Sequence, residues 1–565
     1  MKILGITPGH DAAAAVIEDG RIIANVAEER FTRVKHSADA PINAIQYCME
    51  EAGVSNINEF DLIAIAGNFF GEDIKVLLGL DKNDKSIKRR VRAYGKRRLL
   101  GTTSKMQLPV YFPDLKVNDP KKVKTLDHHL AHAASAYYST KDSKETLIFT
   151  ADGIGDQKCT AIWIGKGNKI RMLKSWGKEG GLGWAYSLVT EGLHYIHGDG
   201  EGTVMGLACY GDPEKCRGVL DKYFPMFKDG ELIKPAQFTN PAFWESQGSY
   251  QYHIKEATAI EKLAEKYGPE NIAAEAQRLL EENIMDIVFS WIKKTGIKKT
   301  AYSGGVFLNV KVNQRIWQNR KDLITEQIIF PDAGDSGLAV GSALYFNYKE
   351  SEFEGNAIEH LYFGPAYNEN YIKGLLIDQG LKFEKKDKPE KHVAKLLAEN
   401  KIVAWFQGKM ESGPRALGNR SILMSPLKAE NKDIINARVK FRESFRPFCP
   451  SIIYEKRDEY LIDARDEFFM ITSFDVTREK RDKIPAVVHV DGTLRPQLVK
   501  KSINEKYWKI ISEFGKLTGE YCILNTSFNI KGEPVINHPK EAIAGFYNNG
   551  IDYLILGNFI ISKDG

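Results

Sequence analysis

The sequence predicts a mixed α/β protein in which a duplicated domain is followed by a further α/β unit. Three observations lead there. Strand-sized apolar runs alternate with longer amphipathic runs of helical period. A strand–turn–strand pattern at the N-terminus recurs later in the chain. The 565 residues amount to about three folding units at roughly 100–200 residues each.

The elements follow in order. Ile3 to Ile6 reads as a strand running into the turn Gly9-His10-Asp11. Ala13 to Ile17 is the next strand, and Asp19-Gly20 is a hairpin signal leading into Arg21 to Val26. The second copy begins with the strand Leu147 to Thr150 and the turn Asp152-Gly153-Ile154-Gly155-Asp156. The strand Thr160 to Ile164 and the turn Gly165 to Asn168 complete it. Paired units of this kind point to two halves with a cleft between them, although hairpins also recur in unrelated proteins. Asn271 to Lys294 has helical apolar spacing, and Pro331 to Tyr348 passes from acidic turn residues into an apolar helix. Residues 350–357 turn polar and acidic, which marks a domain boundary. Beyond it, helices mix with apolar strands such as Ile402 to Phe406.

Composition narrows the function classes. Hydrophobic residues make up 43% and charged residues 27%, which excludes disorder as the main state. The 79 Lys+Arg against 74 Asp+Glu leave only +5, which excludes a globally polybasic nucleic-acid binder. No run approaches the ~18 apolar residues of a membrane helix, and the N-terminus has no h-region of a signal peptide. Six scattered cysteines form no C-x-x-C pair and suit the reducing cytosol, so a cytoplasmic protein is expected. One stretch breaks the charge balance: Lys82 to Lys105 holds ten Lys/Arg and one acid, Asp84. It reads either as a solvated face or loop, or as a basic arm for an anionic acceptor, partner or membrane surface.

Four constellations carry chemistry. In Asp127-His128-His129-Leu130-Ala131-His132, a helix places His128 and His132 on one face, a spacing that suits two imidazoles on one metal. Three histidines that only cap or pack a helix fit the same spacing. A third ligand has to come from elsewhere, and Pro331-Asp332-Ala333-Gly334-Asp335 offers carboxylates. Ser303-Gly304-Gly305-Val306-Phe307-Leu308-Asn309 follows a strand, and its small residues let backbone N–H groups approach a phosphate or adenosine. A plain tight turn fits equally, and it is not a Walker A loop. Asp152 to Asp156 has the same ambiguity: two acids bracketing glycines suit a nucleotide- or metal-facing turn, but acidic glycine turns are also common structurally. Gly9-His10-Asp11 either supplies a general base for a hydroxyl nucleophile or is a turn with a capping Asp. Arginines set in turns, in Glu411 to Ser421, Lys440 to Phe448 and at Arg495, suggest positioned anion recognition, completed by Asn525-Thr526-Ser527-Phe528-Asn529.

Together these segments resemble the O-carbamoyltransferases of antibiotic and nodulation-factor tailoring, over essentially the whole chain. The anchors are Gly9 to Ala14, the His128–His132 run, Val204 to Gly211, Ser303 to Asn309, Gly413 to Ser421, Phe445 to Phe448 and Asn525 to Asn529. Cys209 and Cys449 stand where the family pattern has Pro and Ala, and both read as packing variation.

The resemblance implies an actin-like ATPase-fold (ASKHA) domain at 1–352, with halves of about 1–145 and 146–352, and a YrdC-like α/β domain at 353–565. It implies that carbamoyl phosphate and ATP, with Mg2+, form carbamoyl-adenylate in the C-terminal domain. The carbamoyl group then passes to a small-molecule or saccharide hydroxyl in the N-terminal domain, and AMP leaves. Arg415, Lys440, Arg446, Arg495, Asn525 and Ser527 would hold carbamoyl phosphate and then the adenylate. His128, His132 and Asp335 would hold a divalent metal, iron in this family, with zinc also suited to the donor set. Asp152, Gly153, Gly155, Asp156, Ser303, Gly304, Gly305 and Asn309 would line the nucleotide. His10 is the expected base, with Asp11 orienting it or binding the acceptor. The oligomeric state stays open, a homodimer included. Two rivals remain: a fused threonylcarbamoyl-transfer protein acting on tRNA, which the near-neutral charge disfavours, and a non-enzymatic actin-fold nucleotide sensor, which has no use for the arginines.

Overall fold

Alternation along the first strands sets the layers. In Lys2–Thr7 (β1) and Ala13–Glu18 (β2), Ile3, Ala13, Ala15 and Ile17 face one side, and Leu4, Ile6, Ala14 and Val16 the other. All eight are fully buried, so these strands lie inside a sandwich of helices. The computed structural model describes residues 1–38, 40–67, 113–237 and 254–563. The basic stretch Lys82 to Lys105 lies outside the described residues.

With Arg21–Ala27 (β3), Leu62–Ala66 (β4) and Val123–Leu126 (β5), the first sheet has the order β3-β2-β1-β4-β5. Strands β1, β4 and β5 run parallel, while β2 and β3 return as antiparallel hairpins. Asp19 and Gly20 both take positive φ, as the tight β2–β3 turn requires. The second sheet is built from Thr146–Gly155 (β6), Lys158–Lys166 (β7) and Lys169–Trp176 (β8). After a small hairpin, Met226–Lys228 (β9) and Glu231–Lys234 (β10), come Lys299–Ser303 (β11) and Glu326–Ile329 (β12). Its order is β12-β11-β6-β7-β8, with β6, β11 and β12 parallel. Order and directions repeat those of the first sheet, which is the actin-like duplication. The segment Asp152 to Asp156 is less of a turn than its glycines suggest. Strand β6 continues to Gly155 through a register shift after Ala151, and the reversal comes at Asp156 and Gln157, both with positive φ.

The halves cross-pack. Helix His128–Tyr137, the last element of the first half, lies on β6 and β11, and helix Leu338–Glu350, the last of the second, lies on β1, β2 and β4. The helices also pack on each other. Glycine makes this possible: a Cβ on Gly5 would sit 2.0 Å from the Ala339 carbonyl oxygen, and one on Gly341 2.0 Å from that of Ala131. The chain stays on this core past residue 352. Phe353 is buried against Tyr137, Tyr138 and Tyr348, and Asn356 donates to the Thr140 and Gly20 carbonyls.

The C-terminal unit holds a mixed sheet of Glu384–Lys385 (β13), Val403–Phe406 (β14), Arg420–Met424 (β15), Cys449–Ile453 (β16), Gln497–Val499 (β19), Cys522–Ser527 (β20), Tyr553–Leu556 (β21) and Phe559–Ser562 (β22). The order is β13-β22-β21-β14-β15-β20-β16-β19. Phe474–Asp475 (β17) and Thr493–Leu494 (β18) form a separate ladder. Helices Pro389–Ala398 and Glu505–Thr518 cover one face, and Glu369–Asp378 and Pro539–Tyr547 contribute to the core on the other. Arg420 is fully buried here. Its guanidinium stacks on Phe406 and donates to the carbonyls of Gln407, Gly408, Asn419 and Pro365.

The two units are sewn together by polar contacts. Arg30 donates to the Gly413 carbonyl (2.9 Å) and Ser412 to the Asn25 carbonyl (2.6 Å). Arg33 donates to the carbonyls of Val535 and Pro534, and Lys311 pairs with Asp491. No helix among the described residues is long and apolar enough to cross a membrane.

Candidate functional site: a histidine–aspartate group and a cation pocket

In a parallel sheet, the carboxyl ends of the strands open the crevice where ligands bind. Strands β1, β5, β6, β11 and β12 deliver Gly9-His10-Asp11, Asp127-His128, Asp152, Ser303 and Asp332 to Asp335 at those ends. Asp127 caps helix His128–Tyr137 by accepting from Leu130 N–H (3.0 Å), and Lys158 holds its other oxygen at 2.6 Å. The helix then carries His128 and His132 on one face.

Four side chains converge there. His128 Nε2 lies 3.0 Å from Asp152 Oδ2 and 3.6 Å from Asp335 Oδ1. His132 Nε2 lies 3.4 Å and 3.6 Å from the same two atoms. Ligands at about 2.0–2.2 Å from one tetrahedral ion stand roughly 3.4 Å apart. The group therefore has the spacing of a single coordination shell with two imidazole nitrogens and two carboxylate oxygens. Burial opposes the His128 imidazolium, but Asp335 and Asp152 outweigh it and lift its pKa to about 9. Asp152 resists the same burial and is held well below the carboxylate range by the two histidines. His132 Nδ1 is within hydrogen-bond distance of Ser303 Oγ (3.2 Å), which fixes the ring from behind. His129 points away, to Thr150 Oγ1 and the Lys158 carbonyl. Burial first, and then the neighbouring His128 and His132, push its pKa well down.

The residues read as nucleotide-facing take different places. Asp152 joins the histidines. Gly155 and Asp156 hold His128: a Cβ on Gly155 would sit 2.1 Å from its ring, and Asp156 accepts from its backbone N–H at 2.8 Å. Gly304 and Gly305 pack on Ala151 and Asp152, where a Cβ would sit 2.2 Å and 2.9 Å from the nearest oxygens. Gly153 N–H bonds Asp152 Oδ1. Asn309 caps helix Val310–Gln318 and pairs with Gln277, which occupies its carboxamide.

His10 lies half-exposed beside this group. Its Nδ1 is 2.9 Å from Asp11 Oδ2, and Asp11 Oδ1 accepts from His36 Nδ1 at 2.7 Å. Burial works against a charged His10, but Asp11 raises its pKa above the ordinary value.

The predicted cations of the C-terminal unit do meet. Burial and the neighbouring Arg495 push Arg415 down to about 9, and burial and Arg446 do the same to Arg442. Arg446 and Lys440 are also lowered, by burial first, and Arg442 and Arg446 add to the effect on Lys440. Cations enclosed together in this way raise one another's cost, which a bound anion would offset. Glu443 answers the cluster from 3.8 Å at Arg446. Lys440, set by a π-turn at Asn436–Lys440, donates to the Ser527 carbonyl (2.5 Å) and Asn529 Oδ1 (2.8 Å). Asn525 lies deeper, donating to Ala416, Ser451 and Gln497. Cys449 is more than packing, because Arg495 Nε donates to its sulfur at 2.9 Å. The pocket adjoins the N-terminal unit: Tyr210 O–H reaches the Phe445 carbonyl, and Lys35 and Asp199 face Lys440 and Arg446.

Sequence reasoning missed His36, placed Asp152 with the nucleotide rather than the metal group, and left Arg442 unassigned although it stands in the Lys440 to Phe448 run. Asp152 was visible as an acid at a strand end. His36 had no signal beyond its type.

Models described as Carbamoyltransferase N-terminus and Carbamoyltransferase C-terminus match residues 2–344 and 394–563. Nodulation protein NolNO of Sinorhizobium fredii is 34% identical over 574 residues, covering 98% of this chain and 79% of that protein. Nodulation protein NolO of Bradyrhizobium diazoefficiens is 32% identical over 451 residues, covering 78% and 79%. Among solved structures, full-length HypF in the phosphate- and nucleotide-bound form aligns at 12% identity and a TM-score of 0.31, over 61% of this chain and 55% of that one. With both models matching in chain order, the chain belongs to the carbamoyltransferase family and is an enzyme that transfers a carbamoyl group.

Proposed function

We propose that the chain is an ATP-dependent O-carbamoyltransferase with two reaction centres. The observation that carries this reading is the gathering of Arg415, Lys440, Arg442, Arg446 and Arg495 in one largely enclosed place, with Glu443 near Arg446 and Lys440 held by Ser527 and Asn529. Forming an acyl-adenylate gathers several phosphate charges in one place, and fixed cations offset that repulsion. In this pocket carbamoyl phosphate, Mg·ATP and water give carbamoyl-adenylate, phosphate and pyrophosphate. Ser527 and Asn529 hold the Lys440 ammonium in position. We read the unit as YrdC-like, beginning after the 353–356 segment that still packs on the N-terminal core and before residue 394, where the C-terminal family match starts.

Transfer belongs to the cleft between the N-terminal halves. His128, His132, Asp152 and Asp335 would hold a divalent metal, iron or zinc, which would supply positive charge to polarise the group being transferred. An alcohol is a weak nucleophile at neutral pH, so a base is needed at the transferred carbon. His10 is that base, with Asp11 on its far nitrogen. The alkoxide oxygen bonds to the carbamoyl carbon, the bond to AMP breaks, and the proton stays on His10. The Asp152–Asp156 and Ser303–Asn309 segments bound the nucleotide through their backbone.

The test supplies carbamoyl phosphate, ATP and a panel of sugar and small-molecule alcohols, and reads carbamoyl adducts by mass spectrometry alongside AMP. Adduct and AMP in equal amounts are expected. AMP release that needs threonine and bicarbonate but not carbamoyl phosphate overturns the reading.

A further inference from the structure

We propose that His36 is a positioning residue for carbamoyl transfer, acting through Asp11 to fix which nitrogen of His10 faces the acceptor. The inference rests on His10 being the base. Asp11 is shared: Oδ2 lies 2.9 Å from His10 Nδ1, and Oδ1 takes the N–H of His36 Nδ1 at 2.7 Å. With both oxygens engaged, the carboxylate cannot turn. His10 Nδ1 then carries the proton toward Asp11, and Nε2 keeps the lone pair for the acceptor hydroxyl.

The backbone is bent to make this contact. Asp11 (φ 56°) and His36 (φ 54°) both adopt the left-handed conformation, which costs a non-glycine residue energy. The two turns are tied by Ala12 N–H donating to the Ser37 carbonyl, and the His36 N–H is held by Glu29 Oε2. The imidazoles stack, with centroids 5.1 Å apart and planes 14° from parallel. None of this is needed for a turn that merely connects β1 to β2.

His36 also sets a charge. The groups around the pair are Glu29, Lys35, Asp199 and Asp335, with Asp332 beyond Asp11. Burial disfavours the His36 cation, but Asp11 and Asp199 outweigh it and raise its pKa to about 10. That fixed positive charge opposes the lift Asp11 gives His10. Removing it raises the His10 pKa, so the acid limb of the transfer rate moves to higher pH.

Two variants separate geometry from charge, and both tolerate a positive φ. His36→Gly removes the ring without strain, and His36→Asn keeps an N–H donor but no charge. Transfer is measured with pre-formed carbamoyl-adenylate, and adenylate formation by pyrophosphate exchange, with His10→Ala in parallel. The expected result for His36→Gly is a loss of transfer of roughly 100-fold, the scale of a misplaced reacting group, with exchange retained and added imidazole restoring part of the rate. His36→Asn should keep most of the plateau rate and shift the acid limb upward. If His10→Ala transfers normally, the base assignment fails and this inference with it. If His10→Ala is inactive while His36→Gly matches the wild type in rate and pH limb, His36 alone is misassigned. Loss of both half-reactions in His36→Gly marks a structural role and also overturns the proposal.

Discussion

Gly155 lies directly beneath His128, with so little room that a methyl group would overlap the imidazole at 2.1 Å. The glycine in this segment is thus there for a histidine ring. Gly155→Ala should swing His128 out of the four-residue group while leaving the sheet intact. Elemental analysis should then show substoichiometric iron or zinc in a variant with wild-type circular dichroism. Full metal content would mean that His128 is not a ligand.

Asp152 provides a sharper case, because a nucleotide-facing acid and a metal-facing acid predict different losses. Asp152→Asn should lower bound metal as much as His128→Ala does, since its Oδ2 is 3.0 Å and 3.4 Å from the two imidazole nitrogens. Normal metal content with weakened nucleotide binding would return Asp152 to the nucleotide.

In the cation pocket, Arg446→Ala should reduce pyrophosphate exchange by at least roughly 100-fold, in line with the loss of one positioned charge at a reacting centre. The fold should persist, because Arg446 is a third exposed and its partner Glu443 is a surface acid. Normal exchange would place adenylate formation elsewhere.

Asp332 makes a pH-dependent contribution to stability. Burial lifts its pKa from 3.8 to about 6, despite the hydroxyl of Ser336 at 2.6 Å. A raised carboxyl pKa means the folded state binds the proton more tightly. Stability therefore falls as pH rises from about 4 to about 6, by about 3 kcal/mol at most. Asp332→Asn should melt higher than the wild type above pH 6, and the difference should vanish below about pH 4. Equal melting temperatures at pH 7.5 would show that the ionised carboxylate is already compensated.

Much of this was legible in the sequence, for physical reasons. Asp19-Gly20 has to be a tight hairpin, and a helix starting at Asp127 has to put His128 beside His132. The arginines of the C-terminal unit stand in turns, where a side chain is aimed rather than left on a surface, and they do meet. What stayed hidden depends on long-range backbone detail. Asp152 reaches the histidines because β6 slips register after Ala151, which no composition encodes. His36 meets Asp11 because two distant turns both go left-handed. Asn309 looked free for a ligand, yet its carboxamide is used by a helix end and by Gln277.

The crossed helices bear on how the chain is made. The last described strand of the first sheet ends at residue 126, but among the described residues one of its faces is covered only when Leu338–Glu350 arrives. The nascent first half therefore carries an open apolar surface through most of synthesis of the second. A fragment ending near residue 145 should aggregate, and added in trans the remainder should rescue it only by supplying that helix.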